Sequence, residues 1–154
     1  MSALSYQTLE LVAKIIYEQA KAIRNCEIQK EVLAQNHSFV VLNAFIRIDS
    51  GKKQKITTLD LHNFFRENGL IVSEADCFML VKQFDGTGTG SLSLLDLTRI
   101  LCPRSYTQTK NLKATNKFFH YGLHTVKLNY DVEYSILKVI EQEINCLKKV
   151  EYMK

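Results

Sequence analysis

Proline occurs once in this 154-residue chain, at Pro103, and glycine only six times, three of them crowded into Gly86, Gly88 and Gly90. With so few helix breakers, most of the chain is free to be helical. No apolar run approaches the ~18 residues a membrane span requires. The stretch Met1-Ser2-Ala3-Leu4-Ser5-Tyr6 lacks the basic start and apolar run of a secretory signal, so a cytoplasmic protein is expected. No CxxC joins the four cysteines, Cys26, Cys77, Cys102 and Cys146, which argues against a zinc knuckle or a thioredoxin-type pair. Buried, reduced thiols are the expectation. GxSxG, HExxH, P-loop and GxGxxG signatures are all missing, and the chain is read as non-catalytic. Acidic residues are absent between Leu97 and Tyr130, where Arg99, Arg104, Lys110, Lys113, Lys117 and Lys127 fall. That segment carries the basic character behind the net charge of +4.

What is present is helical periodicity. From Tyr6 to about Asn36, Leu11, Val12, Ile15, Ile16, Ala22, Ile23, Cys26, Val32 and Leu33 recur at helical spacing. One helix of about 30 residues would reach ~45 Å, longer than a small domain. Two helices with a bend near Asn25 are the alternative. Phe39 to Ile48 forms the next helix and runs into Asp49. Ser73 starts a later one, with Cys77, Phe78, Leu80, Val81 and Phe84 facing inward. Leu94 to Cys102 follows and is stopped by Pro103. Asp131 caps a last helix whose stripe is Val132, Ile136, Leu137, Ile140, Ile144, Leu147 and Val150. Between Arg104 and about Asn129 periodicity is poor, and a loop with at most a short helix near Leu112 to Tyr121 is expected.

The most informative pattern is a repeat at an offset of 36 residues. Asp49 to Asp60 aligns with Asp85 to Asp96, Ile56 with Leu92, Leu61 with Leu97 and Phe64 with Ile100. Each loop opens on an acidic residue and closes on another eleven positions later. Each ends in a hydroxyl followed three residues on by a carboxylate, Thr57-x-x-Asp60 and Ser93-x-x-Asp96, the signature of a capped helix start. Asn68-Gly69 supplies a helix stop between the repeats. In Asp85 to Asp96, oxygen-bearing side chains stand at the first, third, fifth, seventh and ninth places, a glycine at the sixth and an apolar Leu92 at the eighth.

This layout resembles the EF-hand family, as in calmodulin and centrins, over about 65 residues. The resemblance implies an all-α fold: one EF-hand pair with a long N-terminal helix and a C-terminal helical extension. The chain is accordingly divided into a long helix (1–38), an EF-hand pair (39–103), a basic linker (104–130) and a C-terminal helix (131–154). The family's loops pair at their eighth positions, which would set Ile56 beside Leu92. The family's ligand positions fall on Asp85, Thr87 and Thr89 by side chain, Ser91 by its carbonyl, Ser93 through water, and Asp96. Two formal charges stand where sensor loops bring three or four. The second loop therefore has two readings, a site for one Ca2+ or Mg2+, or a turn that holds its shape without a cofactor. In the first loop Gly51 and Lys53 sit where ligands belong, Gln54 replaces the turn glycine, and Lys52, Lys53 and Lys55 repel a cation. That loop is read as unable to bind.

The expected function is a constitutive structural or adaptor subunit that holds protein partners. It would meet helical segments through its apolar faces and acidic surfaces through Arg104, Lys110, Lys113, Lys117 and Lys127. Resemblance to EF-hand pairs of cytoskeletal and ciliary assemblies suggests an axonemal setting in which tubulin offers the acidic surface. A calcium sensor resembling a regulatory light chain, acting through the second loop, is the alternative. Nucleic acid is disfavoured because six cations without a known motif are a weak signal. A membrane partner is not expected.

Overall fold

The computed structural model describes residues 5–103 and 128–152. They are helical throughout, apart from loops and one isolated antiparallel bridge. The helices are α1 (Tyr6–Gln35), α2 (Val41–Ile48), α3 (Thr58–Glu67), α4 (Glu74–Phe84), α5 (Leu94–Leu101) and α6 (Tyr130–Tyr152). The short helix expected near Leu112 to Tyr121 lies outside the described residues. No helix among those described is long and apolar enough to cross a membrane.

α1 is a single 30-residue helix, so the bend considered near Asn25 is absent. Ser5 caps it, its hydroxyl accepting from the Thr8 N–H at 3.1 Å. Asn36 ends it, and the Asn36 Oδ1 accepts from the Ser38 N–H at 2.9 Å, turning the chain toward α2. Only Ala22, Cys26, Lys30 and Leu33 are buried along it, on one narrow stripe of its C-terminal half. Residues 5–18 are exposed throughout.

The two repeats fold alike. Phe45, Ile48, Leu61, Phe64 and Phe65 of the first meet Leu80, Val81, Leu97, Ile100 and Leu101 of the second in one core. Phe78, expected inward, is 58% exposed. Cys77, Leu80, Val81 and Phe84 already define the inward face at i, i+3, i+4 and i+7, and Phe78 lies about 100° round from Cys77. α3 ends in a Schellman turn. Leu70 N–H donates to the Phe65 carbonyl and Gly69 N–H to the Arg66 carbonyl, both at 3.0 Å, with Gly69 at φ +75°.

α6 packs against both repeats and α1. Val132, Ile136, Leu137, Val139, Ile140 and Ile144 are buried in the same core as the two repeats, against α1, α4 and α5. Ion pairs fix it along its length. Glu133 meets Arg47 at 2.9 Å, Glu143 meets Lys30, and Lys148 meets Asp76 at 2.8 Å. Arg47 also pairs with Glu67 at 3.0 Å and lies over the Phe64 ring, tying α2, α3 and α6 at one point. The contacts Asn36–Asp131, Lys30–Glu143 and Cys26–Cys146 run in opposite directions along α1 and α6, so the two long helices are antiparallel.

Candidate functional site

The two interhelical loops lie side by side. Ile56 and Leu92 exchange both backbone hydrogen bonds, at 2.9 and 2.7 Å, and both side chains are fully buried. Each loop closes on a complete capping box. Thr57 Oγ1 accepts from Asp60 N–H while Asp60 Oδ2 accepts from Thr57 N–H, and Ser93 with Asp96 does the same. The likeness extends to backbone dihedrals. Lys52 and Gln54 in the first loop have φ of 54° and 62°, and Gly88 and Gly90, 36 residues on, have 71° and 78°. Both loops thus enter the left-handed region at the fourth and sixth positions. The second does so with glycines, at no steric cost, and the first with residues that bear a Cβ.

The acidic residue that opens each loop anchors its interior. Asp49 is fully buried and accepts from the N–H groups of Lys53 and Gln54, at 3.2 and 2.8 Å. Asp85 accepts from the N–H groups of Thr87, Gly88 and Gly90, at 3.3, 2.9 and 2.6 Å, and from the Thr87 hydroxyl at 3.2 Å. These bonds, that from Gly90 foremost, hold the Asp85 carboxyl below the usual carboxylate range despite the opposing effect of burial. Thr87, Thr89 and Ser91 join through their hydroxyls at 3.0 and 3.1 Å. A carboxylate only accepts, so the Thr87 proton goes to Asp85. Thr89 then donates to Thr87 and Ser91 to Thr89, giving a one-way relay of hydroxyls ending on the carboxylate.

At the far end of the loop, Asp96 is buried and its oxygens are engaged. Oδ2 serves the capping box, and Oδ1 accepts from Gly86 N–H at 3.3 Å. The Arg99 guanidinium stands 3.8 Å from Oδ1, and a Cβ added at Gly86 would come within 3.2 Å of it. Arg99 therefore brings positive charge to the carboxylate that would close a cation's shell, a feature invisible to a motif confined to twelve positions. Asp85, Thr87, Thr89, Ser91, Ser93 and Asp96 are thus gathered in one loop. No group of three or more His, Cys, Asp or Glu side chains among the described residues is arranged to hold a metal ion. Of the basic segment, Arg104, Lys110, Lys113, Lys117 and Lys127 lie outside the described residues.

Two further features did not emerge from motif spacing. One is the pairing of Lys30 with Glu143 between α1 and α6, both side chains almost wholly removed from solvent. The other is the closeness of Cys26 and Cys146, which line a 470 Å³ pocket together with Lys30, Cys102 and Glu143. Only the fold brings these residues together. No protein-family model matches the chain, and no curated protein matches it.

Proposed function

We propose that the chain is a degenerate EF-hand pair acting, without catalysis, as a constitutive structural or adaptor subunit of a larger protein assembly. The observation that carries this reading is the exposed N-terminal half of α1. Leu9, Val12 and Ile16, at helical spacing, are 51%, 43% and 61% exposed, and Leu11 and Ile15 flank them. This is apolar surface on a rigid rod, suited to an apolar face of a partner helix. The apolar residues of the two repeats are packed by the chain's own α6, through Val132, Ile136, Leu137, Val139, Ile140 and Ile144. A cytoskeletal or ciliary assembly is the proposed setting, with the basic stretch around Lys110, Lys113 and Lys117 meeting an acidic protein surface.

The second loop serves this reading as architecture. Calcium draws on six to eight oxygens. Here two carboxylates are already engaged by the loop's own N–H groups, Arg99 stands beside one of them, and the donors fit the ion poorly. The sensor alternative draws support from one observation, the ionised Asp85 with the Thr87, Thr89 and Ser91 hydroxyls ranged behind it.

Calorimetric titration of the full chain with calcium and with magnesium separates the two readings. The adaptor reading expects no binding at micromolar calcium. Micromolar binding that disappears in Asp85→Ala would establish the sensor instead. Affinity capture then tests the surface. The adaptor should retain the same partner in calcium and in chelator, and lose it in the double variant Val12→Glu/Ile16→Glu.

A further inference from the structure

The sulfurs of Cys26 and Cys146 stand 3.2 Å apart, across the antiparallel contact between α1 and α6. Both residues are free thiols. Lys30, one turn along α1, pairs with Glu143, one turn along α6, so a nearly buried ion pair holds the two helices in the register that opposes the sulfurs. The pocket of 470 Å³ reaches both thiols. Cys26 is buried and Cys146 is partly exposed. We propose that this pair is a reversible oxidation site at which a peroxide-class oxidant joins Cys26 to Cys146, fastening α1 to α6.

The two thiols divide the chemistry by their surroundings. Burial first, then the hydrogen bond with Cys146 and the charge of Glu143, push the Cys26 thiol up, against a smaller opposing pull from Lys30. Cys26 is therefore held as a thiol, and Cys146, the more accessible sulfur, meets the oxidant first. Cys146 Sγ attacks one peroxide oxygen and gives up its proton, the O–O bond breaks, the departing oxygen takes that proton and leaves as water, and Cys146 becomes a sulfenic acid. The Cys26 sulfur then attacks Cys146 Sγ. The S–O bond breaks, the S–S bond forms, and the hydroxyl leaves as water with the proton from Cys26. Two thiols lose two electrons and one peroxide becomes two waters. A dithiol reductant reverses the step by thiol–disulfide exchange.

Cys102 lines the same pocket and, like Cys26, is buried, which pushes its thiol up to about 11. Cys77 lies in the core, its thiol pushed up by burial to about 12. The close approach of their sulfurs is what selects Cys26 and Cys146. The bond would close a loop of 120 residues that contains both repeats. Constraining so long a loop in the unfolded chain raises Tm by about 10 °C, where the native geometry accepts the bond without strain.

The test uses the full reduced chain, treated with stoichiometric hydrogen peroxide, quenched with an alkylating reagent and mapped by peptide mass spectrometry. The expected result is one intramolecular crosslink joining the peptides that carry Cys26 and Cys146, with a Tm rise of about 10 °C that dithiothreitol abolishes. Cys146→Ser, at the partly exposed position, should fold and melt like the reduced protein and show no rise with peroxide. A crosslink from Cys26 to Cys102, a bond only between molecules, overoxidation of Cys146 without a bond, or a crosslink that lowers Tm overturns the proposal.

Discussion

Gln54 and Gly90 occupy equivalent positions in the two loops with φ of 62° and 78°. A side chain in the left-handed region is strained, and the same turn made with glycine is not. Gln54→Gly should therefore stabilise the protein by about 0.5–1 kcal/mol, read from denaturant melts, although glycine ordinarily weakens a fold. Asp85 gives a second test at this scale. Its folded pKa lies below its unfolded value, so its contribution is full above the unfolded pKa and is lost as pH falls through the folded one. The gap in Tm between the wild type and Asp85→Asn should be open at pH 7 and close as pH falls below about 4. A gap independent of pH would show that the carboxylate's charge is not what holds the loop. Both residues could be assigned from sequence, because the 36-residue repeat fixes their place in the turn. Arg99 stands three residues past Asp96 on the same helix, a spacing that pairs side chains, and only a motif confined to twelve positions passes over it.

Within the two repeats, α3, α4 and α5 begin on signals that act locally, and those signals were readable. Thr57 with Asp60 and Ser93 with Asp96 form their capping boxes where the spacing places them. Loss of one box, in Ser93→Ala, should cost about 1 kcal/mol. What periodicity does not say is which apolar face finds a mate. Ile16 and Cys26 belong to one amphipathic pattern, yet Ile16 is 61% exposed and Cys26 is 4% exposed. The difference is that α6 runs alongside the C-terminal half of α1. The ion pair between those helices supplies an element-scale test. Lys30→Met leaves Glu143 without its cation in a largely dry place and should cost about 3 kcal/mol. Adding Glu143→Leu should recover most of that loss, since apolar packing substitutes well for a buried pair. A double variant no more stable than the single one would mean that the pair is irreplaceable.

At the scale of the molecule, one core takes residues from α1, both repeats and α6, so the segments flanking the repeats share their stability. Ile140 is fully buried, and Ile140→Ala should cost about 2–5 kcal/mol in chemical denaturation. Ile16→Glu should change stability by no more than about 0.5 kcal/mol, because that stretch of α1 touches little of the core. A large loss from Ile16→Glu would mean that the rod is folded against the body, and the surface offered to a partner would disappear with it.

The antiparallel docking of α6 on α1 also orders events in time. Cys26 and Cys146 are 120 residues apart, and the contact between their helices is the most extensive among the described helices. The part of α1 that meets α6, at Cys26 and Lys30, therefore lacks that partner during synthesis until α6 has been made. Contacts of such high sequence separation close late, after the local hairpins of helices have formed. In pulsed hydrogen exchange during refolding, α2 to α5 should gain protection ahead of α1 and α6. The two long helices should then become protected together, as one event.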